Sequence, residues 1–364
     1  MDRDRDHDFA SGPLAAASGT ATGAQLDGTG DPLSDVLEAV RLTGALFFTV
    51  EAAPPWTAEA PQSSKLAPVI LTRGCHVVSY HIVVQGACWC RMAGMPAVRL
   101  EAGDILVIPH GDGYGLYSGP DQSAPLPVEA LLDWFRQMAS GDLPSVVTEG
   151  GEGAPTLHVV CGFLGCDALP FNPVLTALPR LLRIRPSQDR PETLGPLIDL
   201  IVAESRHRRA GRRSVLLRIG ELLFVEVVRM HLATMDSEGR GWLAGLRDAT
   251  VGHALALMHR ELQRKWTLDD LAHAAGTSRS VLAERFSHFV GETPMRYLAK
   301  WRLQRAAVLL LDGGAKVASV AQAVGYESEA AFSRAFKKET GAAPSEWRRD
   351  RGGSPPRRQP SGHG

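Results

Sequence analysis

From Trp266 to Trp347 the apolar positions run through the same helical arrangement twice. The first copy reads Leu271-Ala272, then Gly276-Thr277-Ser278, then Leu282 and Phe286. The second reads Val320-Ala321, then Gly325-Tyr326-Glu327-Ser328, then Phe332 and Phe336. The two glycines are 49 residues apart and the two closing phenylalanines 50, one extra residue in the second turn making the difference. Each copy has apolar residues at helical spacing, a glycine break, a Ser at an N-cap position and a second helical run. That pattern predicts a helix-turn-helix, the glycine letting the chain turn sharply between helices. Between the copies, Pro294 to Leu311 is helical in period, opens with a proline suited to a first turn, and holds no internal Gly or Pro. About 17 residues at about 1.5 Å each make a rod of roughly 25 Å. With the width of the motifs added, the two second helices come roughly 34 Å apart, one turn of B-DNA. One chain then presents two reading heads to one face of a duplex without dimerising.

The residues of this stretch carry a family resemblance. Trp266-Thr267-Leu268-Asp269-Asp270-Leu271-Ala272, Ser278, Leu282, Phe286, Gly291-Glu292-Thr293-Pro294, Arg302-Leu303, Ala321, Val324 to Ser328, Phe332 to Lys337 and Gly341-Ala342-Ala343-Pro344 resemble the DNA-binding domain of AraC/XylS-type transcription regulators over residues 252–349. The resemblance implies a transcription factor bound to double-stranded promoter DNA. In the first motif the expected buried face is Val281, Leu282, Phe286 and Phe289, leaving Arg279, Ser280, Ala283, Glu284 and Ser287 outward beyond the cap Ser278. Matched to the family pattern, Ser280, Ala283 and Glu284 sit where base readers sit. Arg279 suits a phosphate or a guanine edge, and Glu284 suits cytosine N4 or is simply a solvated charge. In the second motif Ala331, Phe332, Ala335 and Phe336 are expected inside. Beyond the cap Ser328, this leaves Glu329, Ala330, Ser333, Arg334 and Lys337 outward, with Arg334 and Lys337 placed for the DNA backbone. A surface this poor in long polar side chains points to methyl contacts and DNA shape as part of the specificity.

Upstream the period changes. Asp31-Pro32-Leu33-Ser34 opens a short amphipathic helix with Leu33, Val36, Leu37, Val40 and Leu42 on its apolar side. From Thr43 to about Tyr117, Gly and Pro punctuate short runs: Ala45–Val50, Val69–Leu71, Val77–Val84, Ala87–Met92, Val98–Leu100 and Ile105–Ile108. Short strands at close spacing predict a barrel or double-sheet jelly roll. His81 to Gly86 followed by Leu100 to Gly111 resembles a cupin, and more narrowly the cupin-type effector domain of some AraC-type regulators; Cys161-Gly162, Asn172-Pro173 and Ala177-Leu178-Pro179 fit that pattern. Residues 119–156 read as a Pro/Gly-rich loop around one helix, Val128–Ala139, before a returning strand at Val159–Phe163. Helical period resumes at Pro173, with good candidates at Leu194–Glu204 and Ser214–Leu232. The second is apolar over more of its surface than one core-facing stripe needs, which suits either a sandwiched helix or a dimer interface. Arg206–Arg213, with five arginines, reads as a solvated loop.

Composition sharpens this plan in a few places. A chain of 364 residues, 44% hydrophobic, supplies cores for two domains. Net charge is −1, but residues 252–349 hold 15 Lys and Arg against 10 Asp and Glu, so the rest is acidic. Five cysteines, Cys75, Cys88, Cys90, Cys161 and Cys166, with a charged N-terminus lacking an apolar signal core, predict a reducing, cytoplasmic setting. No apolar run approaches the length of a membrane span. The fold class expected is α+β in two domains: an N-terminal cupin-like β-barrel with flanking helices, and a C-terminal all-α domain with two helix-turn-helix motifs joined by a linker helix. The boundaries expected are a disordered tail 1–30, the cupin-like domain 31–180, a helical linker or dimerisation region 181–247, the DNA-binding domain 248–350 and a second tail 351–364, whose arginines add nonspecific phosphate attraction.

The chemistry expected of the cupin half is sensing. His81 has no histidine two residues later, and Tyr114 stands where this kind of domain often has a histidine, so the metal-ligand pattern is incomplete and neither a metal centre nor another cofactor is expected. Cys88, Cys90 and Met92 alternate onto one strand face, and Cys161 and Cys166 lie near a returning strand. These thiols are either small buried hydrophobes or, with His76 or His81, a redox switch or soft-metal site. The candidate effector residues are therefore His81, Tyr114, Cys88, Cys90, Cys161 and Cys166. The function expected is a DNA-binding transcription regulator answering a small molecule, oxidant or metal, not an enzyme. RNA polymerase and a second copy of the chain are its candidate partners. The alternative is a cupin-type metal-dependent small-molecule enzyme, which needs the histidines this chain lacks.

Overall fold

The computed structural model describes residues 30–39, 42–71, 76–120, 126–166, 171–185, 193–206, 209–235, 239–312 and 314–351. The first half runs α1 (Pro32–Ala39), β1 (Leu42–Ala53), β2 (Thr57–Ala60), α2 (Ser63–Ile70), β3 (His76–Gln85), β4 (Ala87–Met92), β5 (Val98–Glu101), β6 (Ile105–Ile108), β7 (Tyr114–Tyr117), α3 (Val128–Ser140), β8 (Val146–Gly150), β9 (Leu157–Cys166), α4 (Pro173–Ala177) and β10 (Leu182–Ile184). Helices follow: α5 (Leu194–Arg206), α6 (Arg212–Thr234), α7 (Trp242–Arg247), α8 (Ala249–Arg260), α9 (Leu268–Ala274), α10 (Arg279–Val290), α11 (Pro294–Leu311), α12 (Val317–Ala323), α13 (Glu329–Thr340) and α14 (Pro344–Arg351). The expected tails fall outside the described residues except for Gly30 and for Arg351, which closes α14; Val40 and Cys75 also lie outside them. Among the described residues no helix is long and apolar enough to cross a membrane.

Two sheets pack together. One has the order β10-β6-β3-β9-β1-β8 and the other β2-β7-β4-β5. Every described pairing is antiparallel except β1 with β8, which are parallel. The two-residue period of a strand explains why the large sheet needs two cores. On β3 the odd positions Val77 and Val83 join Phe48, Val159, Phe163 and Leu106 between the sheets. The even positions Val78, Tyr80 and Ile82 join Phe47, Val160 and Leu164 on the other face, where Leu216, Ile219, Leu223 and Val227 of α6 cover them. Strands buried on both faces read as continuous apolar runs, as β3, β6 and β9 do. Helix α6 lies close against the sheet at Gly220. A Cβ there would meet Leu164 Cδ2 at 2.9 Å and Phe47 Cζ at 3.2 Å.

Three sequence expectations change. Val69–Leu71 is not a strand: it is the end of α2, whose Leu66, Ala67 and Ile70 bury one helical face. A three-residue apolar run cannot tell the two periods apart. The 119–156 segment is not wholly loop around α3. Its residues 146–150 form β8, an edge strand of half-buried and exposed residues without a strong apolar alternation. Residues 182–184 pair with β6 as β10 inside the stretch read as helical. There Arg183 and Arg185 hold the fully buried Asp104, with Nε to carboxylate distances of 3.0 and 2.8 Å. Burial raises the Asp104 pKa, but Arg185 and Arg183 outweigh it and hold the carboxyl below its ordinary range.

Candidate functional site

The paired motifs form as spaced. Helix α9 is capped by Thr267, which accepts from Asp270 N at 3.1 Å while its own hydroxyl donates to Asp270 Oδ2 at 2.6 Å. Ser278 caps α10, accepting from Val281 N at 3.3 Å, and Ser328 caps α13, accepting from Ala331 N at 3.2 Å. The turns between helices pass through Gly276 at φ +71° and Gly325 at φ +82°, the left-handed region where a side chain is strained. Leu282, Phe286, Phe332 and Phe336 are completely buried. The linker helix α11 spans the expected Pro294–Leu311, with Pro294 in its first turn.

The outward faces lie open. Ser278, Arg279, Ser280, Glu284 and Ser287 are exposed and Ala283 is half-buried; Ser328, Glu329, Ala330, Arg334 and Lys337 are exposed and Ser333 is half-buried. Arg279 pairs with Asp269 at 3.3 Å, both about two-thirds exposed, an interaction worth little in water and easily exchanged for a phosphate. Val281 is a correction: it is 42% exposed, turned out beside Ser280, because at about 100° per residue it cannot share the buried side with Leu282 and Phe289. Phe289, Ala331 and Ala335 are half-buried rather than enclosed.

Between the sheets the sequence candidates meet. The ring of His81, buried on β3, lies with Nε2 2.5 Å from Tyr114 Oη and Nδ1 3.1 Å from Cys161 Sγ. The Ser79 hydroxyl also bonds the Tyr114 phenol. A neutral imidazole satisfies all of these: Tyr114 donates to Nε2 and the Nδ1–H donates to sulfur. Burial drives the His81 pKa down to about 3. Burial likewise pushes the thiols of Cys88 and Cys90 up to about 12 and raises that of Cys161. Cys88, Cys90, Cys161 and Met92 all belong to the core between the sheets. Cys166 does not: five residues beyond Cys161 it faces the opposite side of β9 and packs in the other core. His76 stands apart as well, with Nε2 2.6 Å from the Pro109 carbonyl. Among the described residues no group of three or more His, Cys, Asp or Glu is arranged to hold a metal ion.

A third constellation joins the halves. Asp35 of α1 lies 3.1 Å from Nδ1 of the buried His259 on α8, whose Nε2 is 2.8 Å from Tyr297 Oη on α11. Trp242 Nε1 donates to the same phenol at 2.9 Å, and the His259 ring stacks on Trp301 at 4.2 Å. Nearby the Phe171 amide donates to Oε1 of the buried Gln304 at 3.0 Å. Burial lowers the His259 pKa, with Asp35 pulling the other way. None of these residues carries a local signal. Asp35 and His259 are 224 positions apart, and Tyr297 and Gln304 read as ordinary members of a helix.

Residues 31–233 match the Cupin family and residues 271–350 a Helix-turn-helix domain family. The chain is 31% identical over 323 residues to a putative AraC-like transcription regulator of Streptomyces lividans, covering 88% of this chain and 98% of that one. It is 28% identical to the HTH-type transcriptional regulator AlkR of Acinetobacter baylyi, covering 87% and 99% respectively. A solved transcriptional regulator of the AraC-type DNA-binding class from Chromobacterium violaceum is 28% identical, covers 30% of this chain and 97% of that chain, and has a TM-score of 0.29.

Proposed function

The chain belongs to the AraC family of transcription regulators, and on that premise we propose that α10 and α13 are its base-reading helices, set into successive major grooves of promoter DNA. In this reading Ser280, Val281, Ala283 and Glu284 face bases from α10, and Glu329, Ala330 and Ser333 from α13. Arg279, Ser287, Arg334 and Lys337 take phosphates, while Ser278 and Ser328 cap the helices and hold their amide ends toward the backbone. The observation that carries the proposal is that both second helices keep nearly all their outward residues exposed, with only Ala283 and Ser333 half-buried, although α11 and α8 are gripped by the other half. Replacing Arg334 and Lys337 together by Ala removes two phosphate contacts. Binding then weakens on every sequence and the slope of log affinity against log salt falls by about 2. Unchanged affinity and slope in a salt-titrated retardation assay place those residues off the DNA.

The domain plan proposed is an effector domain over 31–180, a connecting region over 181–247 and a DNA-binding domain over 248–350, in a regulator at work in the cytoplasm with RNA polymerase as its downstream partner. His81 is engaged at both nitrogens and the thiols are enclosed, which supports reading the cysteines as core and the domain as a receiver rather than a catalyst. An effector acts only by preferring one arrangement of the two halves. The Asp35–His259–Tyr297 chain and the Phe171–Gln304 bond are the contacts such an arrangement must keep or break. The chain works as a homodimer through α6. Val215 and Leu222 on that helix are 38% and 54% exposed and seven residues apart, with half-buried Val225 in line. Beside them Arg218–Glu221 and Arg229–Glu226 ion pairs form a polar margin.

A further inference from the structure

The arginine-rich connection between α5 and α6 is the one conspicuous sequence feature that DNA binding leaves unused. Its described part, Arg209 to Gly211, and the first turn of α6 border a pocket of about 570 Å³ beside β1, α2 and α3, a volume within the range of small-molecule sites. The lining is largely apolar and comes from both faces of the large sheet: Leu46, Ile70 and Met138 of the core between the sheets with Leu143 packed against it, and Phe47 and Leu216 of the core under α6. The rim carries three guanidinium groups, those of Arg209, Arg212 and Arg213, with three serine hydroxyls, and no carboxylate lines the pocket among the described residues. Arg212 is anchored, its Nε donating to the Glu204 carbonyl at 2.7 Å. Arg209 is 65% exposed and its nearest carboxylate, Glu204, stands 3.7 Å away. Three guanidinium groups within five residues concentrate positive charge at the rim, and Arg209, largely in solvent, holds its ion pair with Glu204 only loosely. Guanidinium groups bind carboxylates in a planar fork, while the apolar lining favours hydrocarbon over water.

We propose that this pocket binds an organic carboxylate, its apolar body against Leu46, Phe47 and Leu143 and its charge under Arg209 and Arg213. Phe47 gives the site a route outward. The same ring packs against Gly220, where α6 lies close to the sheet, so a ligand seated on Phe47 sets how α6 lies on the sheet. As an effector site the pocket rests on the regulator reading above; as a binding site it does not, because binding is measured without DNA.

The test is calorimetry of the full chain with sodium octanoate below its aggregating concentration, beside octanol and inorganic phosphate. Octanoate is expected to bind one per chain, at least tenfold more tightly than either control. Arg209→Glu with Arg213→Glu is expected to weaken octanoate at least tenfold with the octanol signal unchanged. Ala139→Trp, at the exposed rim, is an independent block and should weaken octanoate in a chain with unaltered circular dichroism. No octanoate binding, equal binding of octanol or of phosphate, or indifference to both variants each overturns the site. A chain that binds octanoate and ignores DNA overturns the regulator reading and leaves the site standing.

Discussion

His81 is the residue whose surroundings do most to define the effector half's interior. It is neutral in the fold because the sheets exclude water from it, and its pKa drops to about 3 from an ordinary 6.5. Below pH 6.5 the unfolded chain takes up a proton that the folded chain refuses. The stability contributed by neutral His81 is therefore complete above 6.5 and is lost as pH falls toward 3. Between pH 7.5 and 5 this one group should remove about 2 kcal/mol. Urea titrations at the two pH values are expected to show that much more loss in the wild type than in His81→Gln. An equal loss in both proteins would mean the imidazole is charged or solvated in the fold. The chain's buried cysteines are read in the same physical terms. Their strand alternation is visible in the sequence, but their burial follows from enclosure by residues of other strands.

At the scale of the element, the two helix-turn-helix units stand on local rules, and local rules predict their response. Ser278→Ala and Ser328→Ala each remove a cap and should each cost about 1 kcal/mol of stability. Thermal melting reads this, and no loss at either site would mean that water caps the helix equally well. Because the two motifs sit in different cores, the first in the large shared core and the second in one of its own, Ser328→Ala should loosen α13 without loosening α8. Helix α6 is a different case. Its inner side is fixed by Leu216, Ile219, Leu223 and Val227 against the sheet, and its outer side leaves Leu222 in solvent. Leu222→Glu is expected to convert a dimer to a monomer in light scattering with melting unchanged; an unaltered mass would remove α6 as the seam. The pattern along α6 is legible as apolar excess. Which side meets the sheet and which is left over is decided by where β1, β3 and β9 lie.

For the whole molecule the main feature is that the effector half holds the spacer between the two reading heads. Helix α1 and the segment before α4 reach α8 and α11 through Asp35, Phe171 and their partners, and the large core runs without a break from the outer face of the sheet to Phe286 of the first motif. Gln304→Ala leaves the Phe171 amide without its acceptor, a cost of roughly 1–3 kcal/mol. Amides of α1 and α4 should then exchange with solvent about tenfold faster while those of α13 do not change. Exchange unchanged in α1, or raised equally in α13, would mean that the halves are not joined through this contact.

Sequence alone determined the parts governed by neighbours along the chain: the doubled motif, its glycine turns, its serine caps, the ends of α11, and the strands β4 and β6. Hydrogen bonds three or four residues apart and a two-residue alternation are local, so single residues announce them. The tertiary structure decided what depends on distant partners: β8 and β10, which are strands only because β1 and β6 offer them an edge. It also decided the meeting of Asp35 with His259 and the pocket beneath Arg209. None of these leaves a trace in its own stretch of chain, because the groups that make each one favourable are brought there only by folding.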